Sequence, residues 1–323
     1  MPTGSNGSRV VYVIFSHRRP VQVERLVARI LALSPSGQVV LHHDPRVEPM
    51  TWKEPPGARV HMVEPRPMDW GGFTMVAATA RVLEHVEETF DYDWCAVISG
   101  QDYPARNLAT WEQELARGGS DYLLSAQEVN FDPRRRRRQL VEDEYYVRYA
   151  YRWRPLGRTP KAVVPIANRL ANLVGAGPVL LTRPFKGRHR LGVARSTPFG
   201  PDWRCFKGSQ WMAMSRAAVR HILEVMDSRR DLARYYATTL VPDESFLQSI
   251  LGNAGHLRRC DQRLTFTLWA GSGAAHPNTL TSTEVPAALA SGCAFARKLD
   301  IDVDPAALDA LDTLDPAALD EGT

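Results

Sequence analysis

The sequence predicts an α/β protein, with a central, mostly parallel sheet flanked by helices on both faces. Three observations predict it. Short apolar, β-branched runs alternate with longer stretches of helical period through the amino-terminal third of the chain. The first of these runs, Val10-Val11-Tyr12-Val13-Ile14-Phe15-Ser16, is continuously apolar, as in a strand covered on both faces. Turn-forming clusters such as Ser34-Pro35-Ser36-Gly37 separate the segments.

The elements follow in order. Residues 10–16 form the first strand. After Pro20, the positions Val23, Leu26, Val27, Ile30 and Leu31 fall on one face of a helix. Residues 38–42 and 60–63 supply two further strands, 71–90 a helix, and 93–99 the next strand. Ligands of such sheets bind beyond the carboxyl ends of the strands, where His43-Asp44 and Gln101-Asp102 lie.

Residues 130–201 break the pattern. They are rich in Arg, Tyr, Pro and Gly, with Tyr145, Tyr146, Tyr149, Tyr151 and Trp153 interleaved with arginines. They predict an insertion with one helix over 161–174, followed by a long loop, and long loops are often functional. Strands at 211–214 and 264–268 resume the core, with a helix opened by Pro242 between them. Residues 301–323 form an acidic tail in which Asp304-Pro305-Ala306-Ala307-Leu308-Asp309 is echoed by Asp315-Pro316-Ala317-Ala318-Leu319-Asp320. Each copy reads as a short helix with Asp at the cap and Pro at the first position.

At 323 residues, 44% hydrophobic and 24% charged, the whole chain, 1–323, is expected to form one domain. No apolar run reaches the length of a membrane span, and the amino terminus lacks a signal-peptide hydrophobic region. A cytoplasmic, bacterial-type enzyme is expected. A net charge of +4 favours anionic ligands only mildly. Cys95, Cys205, Cys260 and Cys293 form no CxxC pair, which argues against structural zinc and for free thiols.

The chemistry begins at Val241-Pro242-Asp243-Glu244-Ser245-Phe246-Leu247. Pro242 suits a helix start, and Phe246, Leu247, Ile250 and Leu251 give the helix a buried face. The free N–H groups of a first turn favour negative charge, so Glu244 would be ionised and available as a general base. Taken alone, the commoner reading is that Asp243 and Glu244 cap a surface helix. Five more segments accompany it in a fixed order: Val39-Val40-Leu41-His42-His43-Asp44, Trp70-Gly71-Gly72, Ile98-Ser99-Gly100-Gln101-Asp102-Tyr103-Pro104, Lys207-Gly208-Ser209-Gln210-Trp211 and Phe295-Ala296-Arg297-Lys298-Leu299-Asp300.

This ordered set resembles the core-2/I-branching β-1,6-N-acetylglucosaminyltransferases and the peptide O-xylosyltransferases, from about the first strand to Asp300. The resemblance implies a GT-A-type nucleotide-sugar-binding fold. It implies transfer with inversion at the anomeric carbon, without a divalent metal or other cofactor. It places the catalytic base on Glu244, the nucleotide-base contact on Asp44 and the diphosphate contact on Lys298, with Arg263 the candidate for a second cation. Trp211 and Asp102 become acceptor-side residues, although Asp102 also suits a turn before Pro104. Trp203 and Trp269 stay open. UDP-N-acetylglucosamine or UDP-xylose is the implied donor, and a carbohydrate or small natural product the acceptor.

The physics agrees. A single in-line displacement needs one base for the acceptor hydroxyl and fixed charge for the departing diphosphate. Without a metal, Lys298 and Arg263 would supply that charge, although Lys298 beside Asp300 also fits a structural ion pair. Asp300-Ile301-Asp302-Val303-Asp304 contains the Asp-x-Asp of manganese sites, but it follows the Lys motif, out of place for a donor metal. Asp91-Tyr92-Asp93 reads as a turn, and His42 and His43 lack a third ligand other than Asp44. The run Arg134 to Arg138 reads first as a solvated loop, second as a grip on an anionic acceptor and last as a nucleic-acid contact. The alternative function is a non-catalytic carbohydrate- or nucleotide-binding protein. An NAD-dependent oxidoreductase is disfavoured because Phe15-Ser16-His17-Arg18-Arg19 follows the first strand, with no GxGxxG.

Overall fold

Every residue of β1 (Val10–Ser16) is buried, and its side chains divide between two hydrophobic layers. Val11, Val13 and Phe15 pack on one face with Val76, Leu83 and Val86 of helix α2 (Phe73–Thr89). Val10, Tyr12 and Ile14 pack on the other with Val23, Leu26 and Ile30 of α1 (Pro20–Leu33) and with Leu108 and Trp111 of α3 (Leu108–Gly118). Two covered faces explain why the strand is apolar at each position rather than at alternate ones. The computed structural model describes residues 8–52, 57–131, 143–156, 163–173, 178–185, 187–271 and 276–314. The run Arg134 to Arg138 and the second Asp-Pro repeat lie outside them.

The main sheet has seven strands in the order β13-β6-β12-β4-β1-β2-β3. These are β2 (Gln38–His43), β3 (Val60–Met62), β4 (Trp94–Ser99), β6 (Tyr122–Leu123), β12 (Met212–Ser215) and β13 (Arg259–Cys260) about β1. The pairs β3-β2, β2-β1, β1-β4 and β6-β13 are parallel, whereas β12 runs antiparallel to both β4 and β6. The fold is therefore the expected α/β class with a mostly parallel sheet between helices. A smaller sheet beside it orders β14 (Thr265–Thr267), β15 (Phe295–Arg297) and β5 (Asp102–Pro104). Strand β7 (Ala126–Glu128) pairs with β11 (Phe206–Gly208).

Two expectations need correction. Residues 130–201 are not one helix and a loop. A helix at Val163–Leu173 is present, but so are a helix at Glu144–Ala150 and a three-stranded antiparallel sheet, β8 (Tyr151–Pro155), β10 (Arg188–Ala194) and β9 (Leu180–Phe185). Tyr151 and Trp153 point inward and Arg152 and Arg154 outward, a period of two that their aromatic and basic composition obscured. The first part of the acidic tail, by contrast, forms the capped short helix expected of it, and packs on the core. Asp304 caps the helix Pro305–Leu311 through the Ala307 N–H, Leu308 and Leu311 are fully buried, and Asp309 and Asp312 pair with Arg25 of α1 at 2.6 and 2.7 Å. Finally, Pro242 opens no α-helix. Pro242–Glu244 is a separate 3₁₀ turn, and the α-helix begins afterwards, at Phe246–Gly252.

All four cysteines are free, and Cys95 is a buried strand residue as expected. Among the described residues no helix is long and apolar enough to cross a membrane.

Candidate active site

A cleft of about 860 Å³ opens at the carboxyl ends of β1 and β4. Ser16, His17 and Arg18 line it from the end of β1, and Ser99, Gly100 and Gln101 from the end of β4. The chain steps outward from β1 to β2 and β3, then returns to the other side of β1 as β4. A reversal of this kind leaves a crevice between the two connections, where α/β sheets bind nucleotides.

One wall is built by the Trp-Gly-Gly and Pro-Asp-Glu segments together. Val241 donates its N–H to the Gly71 carbonyl at 3.2 Å, and Glu244 donates to Val241. Gly71 has φ +67°, and a Cβ there would come within 2.9 Å of Phe185, so glycine answers both demands. Val241 holds φ 49°, an unfavourable region for a β-branched residue, immediately before the turn that carries Glu244. Gln248 donates to the carbonyls of Ser209 and Asp243, each at 2.9 Å, and so ties the Lys-Gly-Ser-Gln-Trp loop to the same turn. Gly208 in that loop lets its backbone approach closely, since a Cβ would lie 2.8 Å from the Ser125 carbonyl.

Glu244 reaches the cleft with 35% of its side chain exposed. Burial raises its proton affinity above that of an ordinary glutamate, and Arg148, 3.0 Å away, opposes the rise. The electrostatic basis therefore differs from the expected one. A distinct 3₁₀ turn, burial and a guanidinium govern Glu244, rather than the N-terminus of a continuous helix. Arg148 also bonds Glu144 at 2.5 Å, and Lys207 lies 3.5 Å from the centre of the Tyr145 ring.

The rest of the cleft is cationic. Arg18, Lys207, Arg263, Arg297 and Lys298 line it, and Glu244 is the only acidic side chain among the described lining residues. Burial, Arg297 and Arg18, in that order, lower the proton affinity of Lys298. Burial, then Lys298 and Arg297, lower that of His276, whose ring lies 5.0 Å from Trp70. An anion entering here relieves mutual repulsion among fixed cations.

The structure thus brings Glu244, Arg263, Lys298 and Trp211 into one cleft. It does not bring Asp44 or Asp102 to its surface. Asp44 is 2% exposed; Arg46 and the Met68 N–H occupy its oxygens, and the Arg46 guanidinium holds its carboxyl well below the usual range. Its place is to fix Met68, which lines the cleft. Asp102 is fully buried, accepts from the Ser99 N–H at 2.5 Å and pairs with Arg297 at 3.2 Å. The pair positions Arg297, whose guanidinium lies 4.7 Å from the Trp211 ring centre. Arg18, Lys207, Arg297 and His276 escaped the sequence reading. The signals were present for three of them: Lys207 opens the Lys-Gly-Ser-Gln-Trp motif, Arg297 adjoins Lys298 in its motif, and Arg18 follows the first strand of an α/β sheet.

Trp269 lines the cleft with 53% exposure, whereas Trp203 packs against the core beneath Arg229. The Asp-x-Asp carboxylates are engaged elsewhere: Asp300 with Arg18 and Arg19, Asp302 with Arg19 and Asp304 as a helix cap. Asp91 and Asp93 meet Arg9 at the amino end of β4, away from the cleft. Both ring nitrogens of His43 are bonded, to Ser16 and to the Glu48 carbonyl.

Comparison with known proteins adds the following. A family model described as Core-2/I-Branching enzyme matches residues 10–142 and 190–290, well over half of the chain. The matched spans include Glu244 and Arg263 and exclude 143–189. No curated protein matches the sequence. Among solved structures, 2-C-methyl-D-erythritol 4-phosphate cytidylyltransferase from Thermus thermophilus aligns with a TM-score of 0.32 and 14% identity, over 86% of this chain and 96% of that one.

Proposed function

Since the chain belongs to the core-2/I-branching enzyme family, whose members are glycosyltransferases, we propose that it moves a sugar from a nucleotide-sugar donor to an acceptor hydroxyl with inversion at the anomeric carbon. The donor class is UDP-N-acetylglucosamine or UDP-xylose, by the same kinship. Glu244 takes the proton of the acceptor hydroxyl as its oxygen attacks the anomeric carbon. The bond from that carbon to the donor diphosphate breaks, and the electron pair leaves with the diphosphate. Arg263 and Lys298, with Arg18 and Arg297 beside them, carry the charge that develops there. No divalent metal is required, because fixed cations take that part. Trp211 and Trp269 border the acceptor, and Asp44 and Asp102 hold the walls.

The observation that carries this reading is the composition of the cleft, where the described lining residues include a single half-buried carboxylate among five Lys and Arg cations at the carboxyl ends of β1 and β4. A carboxylate whose proton affinity is raised by burial is suited to accept a proton near neutral pH. Glu244→Gln keeps the shape and removes the base. Its turnover should fall by about 10²–10⁴-fold while donor affinity, measured by calorimetry, stays close to wild type. Near-wild-type turnover would overturn the role of Glu244.

A further inference from the structure

The helix Val163–Leu173 is turned inside out. Four of its large apolar side chains face solvent: Val163 is 42% exposed, Ile166 61%, Leu170 62% and Leu173 79%. Their spacing puts them on one face, while Val164, Ala167, Asn168 and Ala171 are half-buried on the other. Asn168 fastens the helix to β9, accepting from the Val179 and Leu180 N–H groups and donating to the Leu180 carbonyl at 2.7 Å. An internal amide anchor with an external apolar stripe is the reverse of an ordinary surface helix.

The surroundings are strongly basic. Between Glu144 and Asp202 the sequence has many arginines and no Asp or Glu. Arg169 on the helix, Arg152 and Arg154 on β8 and Arg188 at the start of β10 are exposed. None of them forms an ion pair among the described residues, whereas arginines elsewhere, such as Arg9, Arg25 and Arg216, pair with carboxylates. An apolar stripe requires an apolar partner, and uncompensated guanidinium groups require an anionic one. A bilayer surface with acidic headgroups answers both together. The β9 strand also leads to Phe185, which packs beside Gly71 in the cleft wall, so this module adjoins the active site. It falls largely within residues 143–189, outside the spans that match the family.

We propose that the helix Val163–Leu173, with the arginines of the β8-β10-β9 sheet, is a docking surface for an anionic lipid bilayer. The apolar stripe enters the headgroup boundary and the arginines meet lipid phosphates. This inference is independent of the glycosyl-transfer reading, because it concerns a different surface and its test needs no turnover.

The test is co-sedimentation of the full chain with phosphatidylcholine vesicles, with and without phosphatidylglycerol. Binding is expected only to the vesicles containing phosphatidylglycerol, and should weaken as salt is raised. Ile166→Asp with Leu170→Asp should abolish it. Arg152→Ser with Arg154→Ser should weaken it on the order of tenfold or more. All four positions are exposed, so both variants should keep the wild-type melting temperature and nucleotide affinity. The proposal is overturned if wild type stays in the supernatant with acidic vesicles, or if the double Asp variant sediments as wild type does. A wild-type dimer that the Asp variant dissociates, or nucleic-acid binding without vesicle binding, would equally overturn it in favour of another occupant.

Discussion

Glu244 is held between two opposed influences, and Arg148 is the one that substitution can remove. Burial favours the protonated carboxyl and the guanidinium at 3.0 Å favours the carboxylate. In the proposed reaction only the carboxylate can accept the acceptor's proton, so activity should rise with pH as Glu244 loses its own. Arg148→Met keeps an apolar stem and deletes the charge, together with the guanidinium's place 5.0 Å from the Tyr145 ring centre. The proton affinity of Glu244 then rises further, and the acidic limb of the kcat profile should move to higher pH, with donor affinity unchanged. A limb that stays in place would show that Arg148 does not govern the base. Glu244 was legible in the sequence because its neighbours form a recognisable motif. Arg148 was not, because it comes from residues 143–189, where nothing marks one arginine above the others.

At the scale of elements, the donor side depends on the contact between β5 and β15. Their antiparallel register sets Asp102 opposite Arg297, and the side chains pair across it. Asp102→Asn removes the charge partner of a nearly buried guanidinium, at a cost of about 1–3 kcal/mol in stability. With Arg297 released, affinity for a nucleoside diphosphate should fall several-fold while the acceptor KM holds. A raised acceptor KM with unchanged nucleotide affinity would instead restore the acceptor-side reading of Asp102. The strands β1, β2 and β4 were legible because burial on both faces leaves continuous apolar runs. The β8-β10-β9 sheet was hidden because its outward positions are arginines and its strands contain proline at Pro155 and Pro184. The Pro-Asp-Glu turn was half legible: its apolar spacing announced a helix, but nothing in the sequence shows Val241 taking φ 49° and separating a 3₁₀ turn from it.

Across the whole molecule, the cleft joins positions that are remote in sequence. Arg18 follows the first strand and Lys298 follows the last; Gly71 and Val241 meet to hold the turn that carries Glu244. Local periodicity cannot report such meetings, and only the ordered motifs hinted at them. The burial of Asp44 and Asp102 was equally invisible, since a carboxylate beside a strand end reads the same whether it lines the cleft or braces its wall. In the proposed reaction the fixed cations of the cleft take the part a metal would play. The most direct measurement is the melting temperature of the protein with UDP in excess EDTA, for wild type and Lys298→Ala. At a hundred times Kd the ligand stabilises by about 2.7 kcal/mol, enough to raise the wild-type melting temperature by a few degrees. That rise is expected without metal, with little change when manganese is added and a much smaller rise in Lys298→Ala. Stabilisation that appears only with manganese and is untouched by loss of Lys298 would contradict that expectation.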